Sequence, residues 1–144
     1  MMLNSLAYSQ YRASEYLWSL SDEVLLVKVL QEEPELWRSI TTCTSDVTVG
    51  VLTIYKSQRI AQDVKQLTFA RLFDCSTTPN ANDAPMLKKD KQYIIFLSSE
   101  NLGEVEHAGE AKKKVYALVD LVLGIQEYSN ELEGFLKSKQ REKR

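Results

Sequence analysis

The stretch Asp46–Ser57, DVTVGVLTIYKS, constrains the fold of this chain more than any other. Val47, Val49 and Val51 sit at alternate positions, as one face of a β-strand requires; the apolar positions then change parity to Leu52 and Ile54. A period of two survives such a change only where a residue is inserted or the strand coils sharply. Gly50 stands where that irregularity is expected, because glycine inside a strand commonly marks a bulge or tight bend. A strand that serves two faces in succession suits a small closed barrel, with Asp46–Ser57 as its central, bent member.

The flanking segments supply the rest of such a barrel. Ser14–Ser21 reads as a short helix with Ser14 as N-cap, and Ala13, Leu17, Leu20 and Val24 fall on one face. Residues 1–12 show no period and read as a loosely held lead-in. Glu23–Leu30 is dense in branched apolar residues, which predicts a strand buried on both faces with only Lys28 turned out. Val64–Leu72, Gln92–Leu97 and Val115–Leu123 read as three further strands. Gln31–Thr44 and Asp74–Lys91 are polar, proline-containing and predicted to be loops. Gly124 ends the last strand, and Asn130–Lys139 is an amphipathic helix with Asn130 at N-cap and Glu133 at N3. The basic tail beyond it, down to residue 144, suits a solvated helix end. Five strands with a helix at each end predict a mainly β, OB-like Greek-key barrel in one domain, its core about 14–139.

Size and charge fit that picture. A chain of 144 residues suits one domain, and a net charge of −2 gives no general electrostatic pull toward nucleic acid or anionic lipid. No apolar run approaches the ~20 residues of a membrane-spanning helix. The N-terminus lacks the basic and apolar regions of a signal peptide, so the chain is either cytoplasmic or released from a leader. The two cysteines, Cys43 and Cys75, flank strand-like segments and read either as one disulfide or as two unrelated thiols.

Catalytic chemistry finds little to work with. His107 is the only histidine, in a polar loop without a second metal ligand at useful spacing, and reads as a surface residue. No nucleophile stands in a recognisable motif. The acidic pairs Asp22-Glu23 and Glu32-Glu33 read as solvated side chains. No metal, cofactor or enzymatic activity is expected. Two binding readings remain. In the first, the two long loops of a rigid barrel meet another protein, with Leu36, Trp37 and Met86 as anchors. In the second, strands two and three bind single-stranded nucleic acid through Tyr55, Lys56, Arg59, Lys65, Phe69, Arg71 and Phe73. The acidic balance, and the place of Phe69 on the same face as Leu67, favour the first.

Three segments also carry a family resemblance. SLSDEVLLVKVL is similar to the opening helix-to-strand step of bacterial netrin-like domains, relatives of the tissue inhibitors of metalloproteinases. DVTVGVLTIYKS resembles that family's second strand, with Ser57 in place of its usual glycine. LKKDKQYIIFLSS resembles the strand after the family's long loop, with Asp90 where glycine is common. The resemblance implies an OB-fold barrel and an extracytoplasmic, protein-binding module. The animal inhibitors place a processed N-terminal cysteine on the protease zinc; this chain has none before Cys43, so metalloprotease inhibition does not carry over.

Overall fold

The structure, a computed structural model, describes residues 5–38, 42–58, 60, 64–74, 87–105, 113–120 and 123–142. The described elements are α1 (Ser5–Leu20), β1 (Glu23–Arg38), β2 (Thr42–Lys56), β3 (Gln66–Asp74), β4 (Gln92–Val105), β5 (Lys113–Leu118), β6 (Ile125–Glu127) and α2 (Asn130–Glu142). β1, β2 and β3 form an antiparallel meander, β5 runs parallel to β3, and β4 pairs with both β5 and β1. The β1–β4 seam closes a five-stranded, OB-like barrel.

Alternation along the strands separates two apolar layers. Leu25, Val27 and Val29 of β1 point into the barrel with Val47, Val49, Phe69, Tyr93, Ile95 and Leu97. The intervening Val24, Leu26, Ile94 and Phe96 point outward and are covered by Leu17 and Trp18 of α1 and Leu132 and Leu136 of α2. β1 and β4 are thus buried on both faces where they meet, which is why both read as near-continuous apolar runs.

The parity change in β2 is real, but its device is not Gly50. Val27 pairs with Val51 and Leu26 with Thr53, so Leu52 is the inserted residue; it stands 48% exposed. Val51 and Ile54, on either side of it, both pack against the barrel interior. A second irregularity lies opposite, in β1, where Val29 pairs with Val49 and Gln31 with Thr48, leaving Leu30 unmatched beside Gly50. A Cβ built on Gly50 would meet only ordinary contacts, the nearest Leu30 Cδ1 at 3.8 Å. The bend is therefore made by bulges, at Leu52 and again at Tyr55 in β2 and at Leu30 in β1, which increase local twist.

Other boundaries also move. No glycine or proline interrupts Ser5–Leu20, and the helix starts well before Ser14, which is buried within it rather than capping it. The buried stripe of this segment is Ser14, Leu17, Trp18 and Ser21; Leu20 is exposed. The predicted loop Gln31–Thr44 is largely the β1–β2 hairpin, with Pro34 paired to Ser45. Proline is tolerated there because β1 pairs with β4 only over Glu23–Lys28, leaving Pro34 without a second strand neighbour among the described residues. The cap of α2 is Ser129, whose Oγ accepts the Leu132 N–H at 3.1 Å, and not Asn130.

β5 and β6 lie end to end along the same edge of β4. Val119 donates to the Phe96 carbonyl at 3.0 Å, and Phe96 donates to the Gly124 carbonyl at 2.9 Å. Asp120 ties the two together: the Gly124 N–H donates to its carbonyl and the Leu123 N–H to its Oδ1. A Cβ on Gly124 would lie 2.4 Å from the Asp120 oxygen, so only glycine fits this closure.

Candidate functional site

The strand pairings carry Glu32 of β1, Ser45 of β2 and Arg71 of β3 to the same end of the barrel, one step beyond the apolar layer formed by Val47 and Phe69. There the barrel is closed by charge. The Glu32 side chain is only 2% exposed; Arg71 Nε donates to its Oε2 at 2.6 Å, and the Ser45 hydroxyl donates to the same oxygen. The Leu87 N–H donates to Oε1 at 2.7 Å, and the Lys88 N–H reaches the Tyr93 hydroxyl at 3.4 Å. A carboxylate buried among three donors is far from the solvated acid its sequence context suggested. It ties the end of the Asp74–Lys91 connection to the root of the β1–β2 arm.

That connection ends in a tight turn. Asp90 adopts φ 67°, its N–H donates to the Val29 carbonyl at 2.8 Å, and Val29 in turn donates to the Lys91 carbonyl at 3.1 Å. The left-handed conformation is one that glycine adopts at no steric cost and that aspartate tolerates.

A second buried acid, Glu23, is fully enclosed and accepts the Gln58 N–H at 3.2 and 3.3 Å through its two oxygens. It holds the turn after β2, where Ser57 Oγ accepts the Ile60 N–H at 3.1 Å and donates to the Ile60 carbonyl at 2.9 Å. The sequence reading of Glu23 and Glu32 as solvated members of acidic pairs is therefore overturned for both. The available signal was acidic residues flanking a strand otherwise buried on both faces.

The described residues among those proposed for nucleic acid are largely engaged within the fold. Tyr55 is 4% exposed and donates from its hydroxyl to Glu133 Oε2 on α2 at 2.8 Å. Burial, with Glu133 beside it, pushes its phenol well above the ordinary tyrosine range. Lys56 donates to the Trp18 carbonyl at 2.7 Å and lies 5.2 Å from the Trp18 ring centroid, where it caps the C-terminal end of α1. Phe69 is buried inside the barrel, Arg71 is paired with Glu32, and Lys65 is exposed. Arg59 and the side chain of Phe73 lie outside the described residues.

Of the protein-binding anchors, Leu36 and Trp37 belong to the end of β1, just before Arg38 pairs with Cys43. Their side chains, with Met86, Cys75 and His107, lie outside the described residues. Cys43 is buried and disulfide-bonded. Among the described residues no group of acidic, cysteine or histidine side chains is arranged to hold a metal, and no helix is long and apolar enough to cross a membrane. No protein-family model matches the chain, and no curated protein matches its sequence.

Proposed function

We propose that this chain is a non-catalytic, protein-binding module of netrin-like type, acting through the end of the barrel that Glu32 closes. The observation that carries this reading is the convergence of the two long connections on one mouth. Glu32 fixes Leu87, next to Met86, and sits at the root of the arm that bears Leu36 and Trp37. A rigid barrel mouth that holds the paired β1–β2 arm and anchors Leu87 supplies preorganised support for binding, which lowers its ordering cost. Asp90 supports the family assignment, because it takes a glycine-like conformation at the position where the family pattern carries glycine. The disulfide-bonded Cys43 supports an oxidising, extracytoplasmic setting. Cys75 follows directly on Asp74, whose Cα pairs with Thr42, and is its expected partner.

A photo-reactive phenylalanine analogue at Trp37, irradiated in the living source cell, tests this reading. Protein adducts are expected from position 37 and not from Thr53, an exposed control on β2. Adducts to nucleic acid, or none from position 37, would overturn it.

A further inference from the structure

β6 has a free edge. Gln126 pairs with Ile94, and the flanking bonds from Phe96 to Gly124 and from Tyr128 to Gln92 show which groups face β4. Backbone groups in an antiparallel strand alternate, so the N–H and C=O of Ile125 and Glu127 face away from the sheet. Among the described residues no strand pairs with that edge.

A groove of about 730 Å³ runs beside it, between Ala13 and Ser14 of α1, Gln126 and Glu127 of β6, and Leu132 and Phe135 of α2. That volume lies in the range of ligand sites, roughly 300–1,000 Å³. Glu127 and Glu131 stand on its rim. Lys91 contacts Glu127 at 2.5 Å and balances its charge, so the negative charge the rim offers is that of Glu131, which is exposed.

We propose that the free edge of β6 and this groove form a docking site for an extended peptide segment of a partner protein, apolar at its centre and basic on the side that meets Glu131, which adds as a short strand. The ladder uses the outward groups of Ile125 and Glu127. A central apolar side chain seats on Leu132 and Phe135, and a basic neighbour reaches Glu131. Strand addition gives affinity through the backbone and selectivity through alternate side chains. The proposal rests on the protein-binding reading but names a different surface, so the Trp37 cross-link tests that reading independently.

The probe is the capped peptide acetyl-Lys-Val-Leu-Val-Lys-amide, titrated into the isotopically labelled full chain by NMR. Saturable shifts are expected at Ile125, Glu127 and Leu132. N-methylating the two valine amides should weaken binding roughly tenfold or more, since two backbone hydrogen bonds are lost. Glu127→Pro removes an outward N–H without touching the β4 ladder and should abolish the shifts; Glu127→Ala, which keeps the N–H, should retain them with reduced affinity. Amide exchange in the dilute free protein should be fast at Ile125 and Glu127 and slow at Gln126. No shifts at millimolar peptide, or equal binding of the N-methylated peptide, would overturn the proposal. So would protection of Ile125 and Glu127 in the free protein, whether constant, with the groove filled by this chain, or rising with concentration, with a second copy as the occupant.

Discussion

Replacing Glu32 with alanine should be among the most damaging single changes in the chain. The substitution removes a carboxylate that accepts from Arg71 at 2.6 Å, from Leu87 at 2.7 Å and from Ser45. Removing one partner of a buried pair leaves the other charge desolvated, at a cost of about 3–5 kcal/mol. Domains of this kind are stable by only about 5–15 kcal/mol, so the variant should lose a large share of its stability. In urea, with a slope of about 2 kcal/mol per molar, the midpoint should fall by roughly 2 M. Arg71→Met should behave alike, since it strands the Glu32 carboxylate. Glu32→Met with Arg71→Met together removes both charges and should cost less than either single change. Equilibrium unfolding of the wild type, Glu32→Met, Arg71→Met and the double variant gives the coupling, expected to be at least about 3 kcal/mol. Two single losses that simply add in the double variant would refute the view that the barrel mouth is held by a mutually dependent polar cluster.

Gly124→Ala should destabilise by about 1–3 kcal/mol, read by thermal melting, because the new Cβ would lie 2.4 Å from a backbone oxygen. Asp90→Gly should be neutral or slightly stabilising, whereas Asp90→Val, which brings a branched side chain to φ 67°, should cost more than about 1 kcal/mol in the same assay. Tyr55 has its phenol raised by burial, so its contribution is intact below the ordinary tyrosine pKa near 10 and is lost as the unfolded chain ionises above it. Stability should fall more steeply above pH 10 in the wild-type chain than in Tyr55→Phe, and the substitution should remove one late-ionising tyrosine from the ultraviolet titration.

The barrel was legible because its evidence is periodic. β1 and β4 read as doubly buried runs, and the parity change in β2 announced an inserted residue. The residue itself was misplaced, since Leu52 leaves no mark in composition and glycine does. The arm was hidden for a different reason. Beyond Lys28, β1 has lost β4 as a neighbour and carries Gln31, Glu32 and Pro34, so its composition is that of a loop while its pairing is that of a strand. Ser129 was missed as a cap because Asn130 is also a good capping residue, and one position separates them. Glu23 and Glu32 read as solvated in sequence because burial of a carboxylate depends on donors brought from distant sequence. The Gln58 and Leu87 N–H groups and the Arg71 side chain cannot be assigned to them before the fold is known.

The two seams that close the barrel also set the order in which it can form. β1, β2 and β3 are joined as neighbours and can assemble from the N-terminal half alone. Closure joins Glu23 to Leu97 on one side and Thr68 to Val115 on the other, across long stretches of chain. A ribosome adding about 5–20 residues per second exposes the meander's inner face for several seconds before β5 exists. During that interval the edge of β3 at Thr68–Ala70 and the edge of β1 at Glu23–Lys28 are both open, flanking Val47, Val49 and Phe69 without a lid. The nascent chain is therefore at its most aggregation-prone with three strands made and two to come, and a holding chaperone that recognises apolar strands would act in that window.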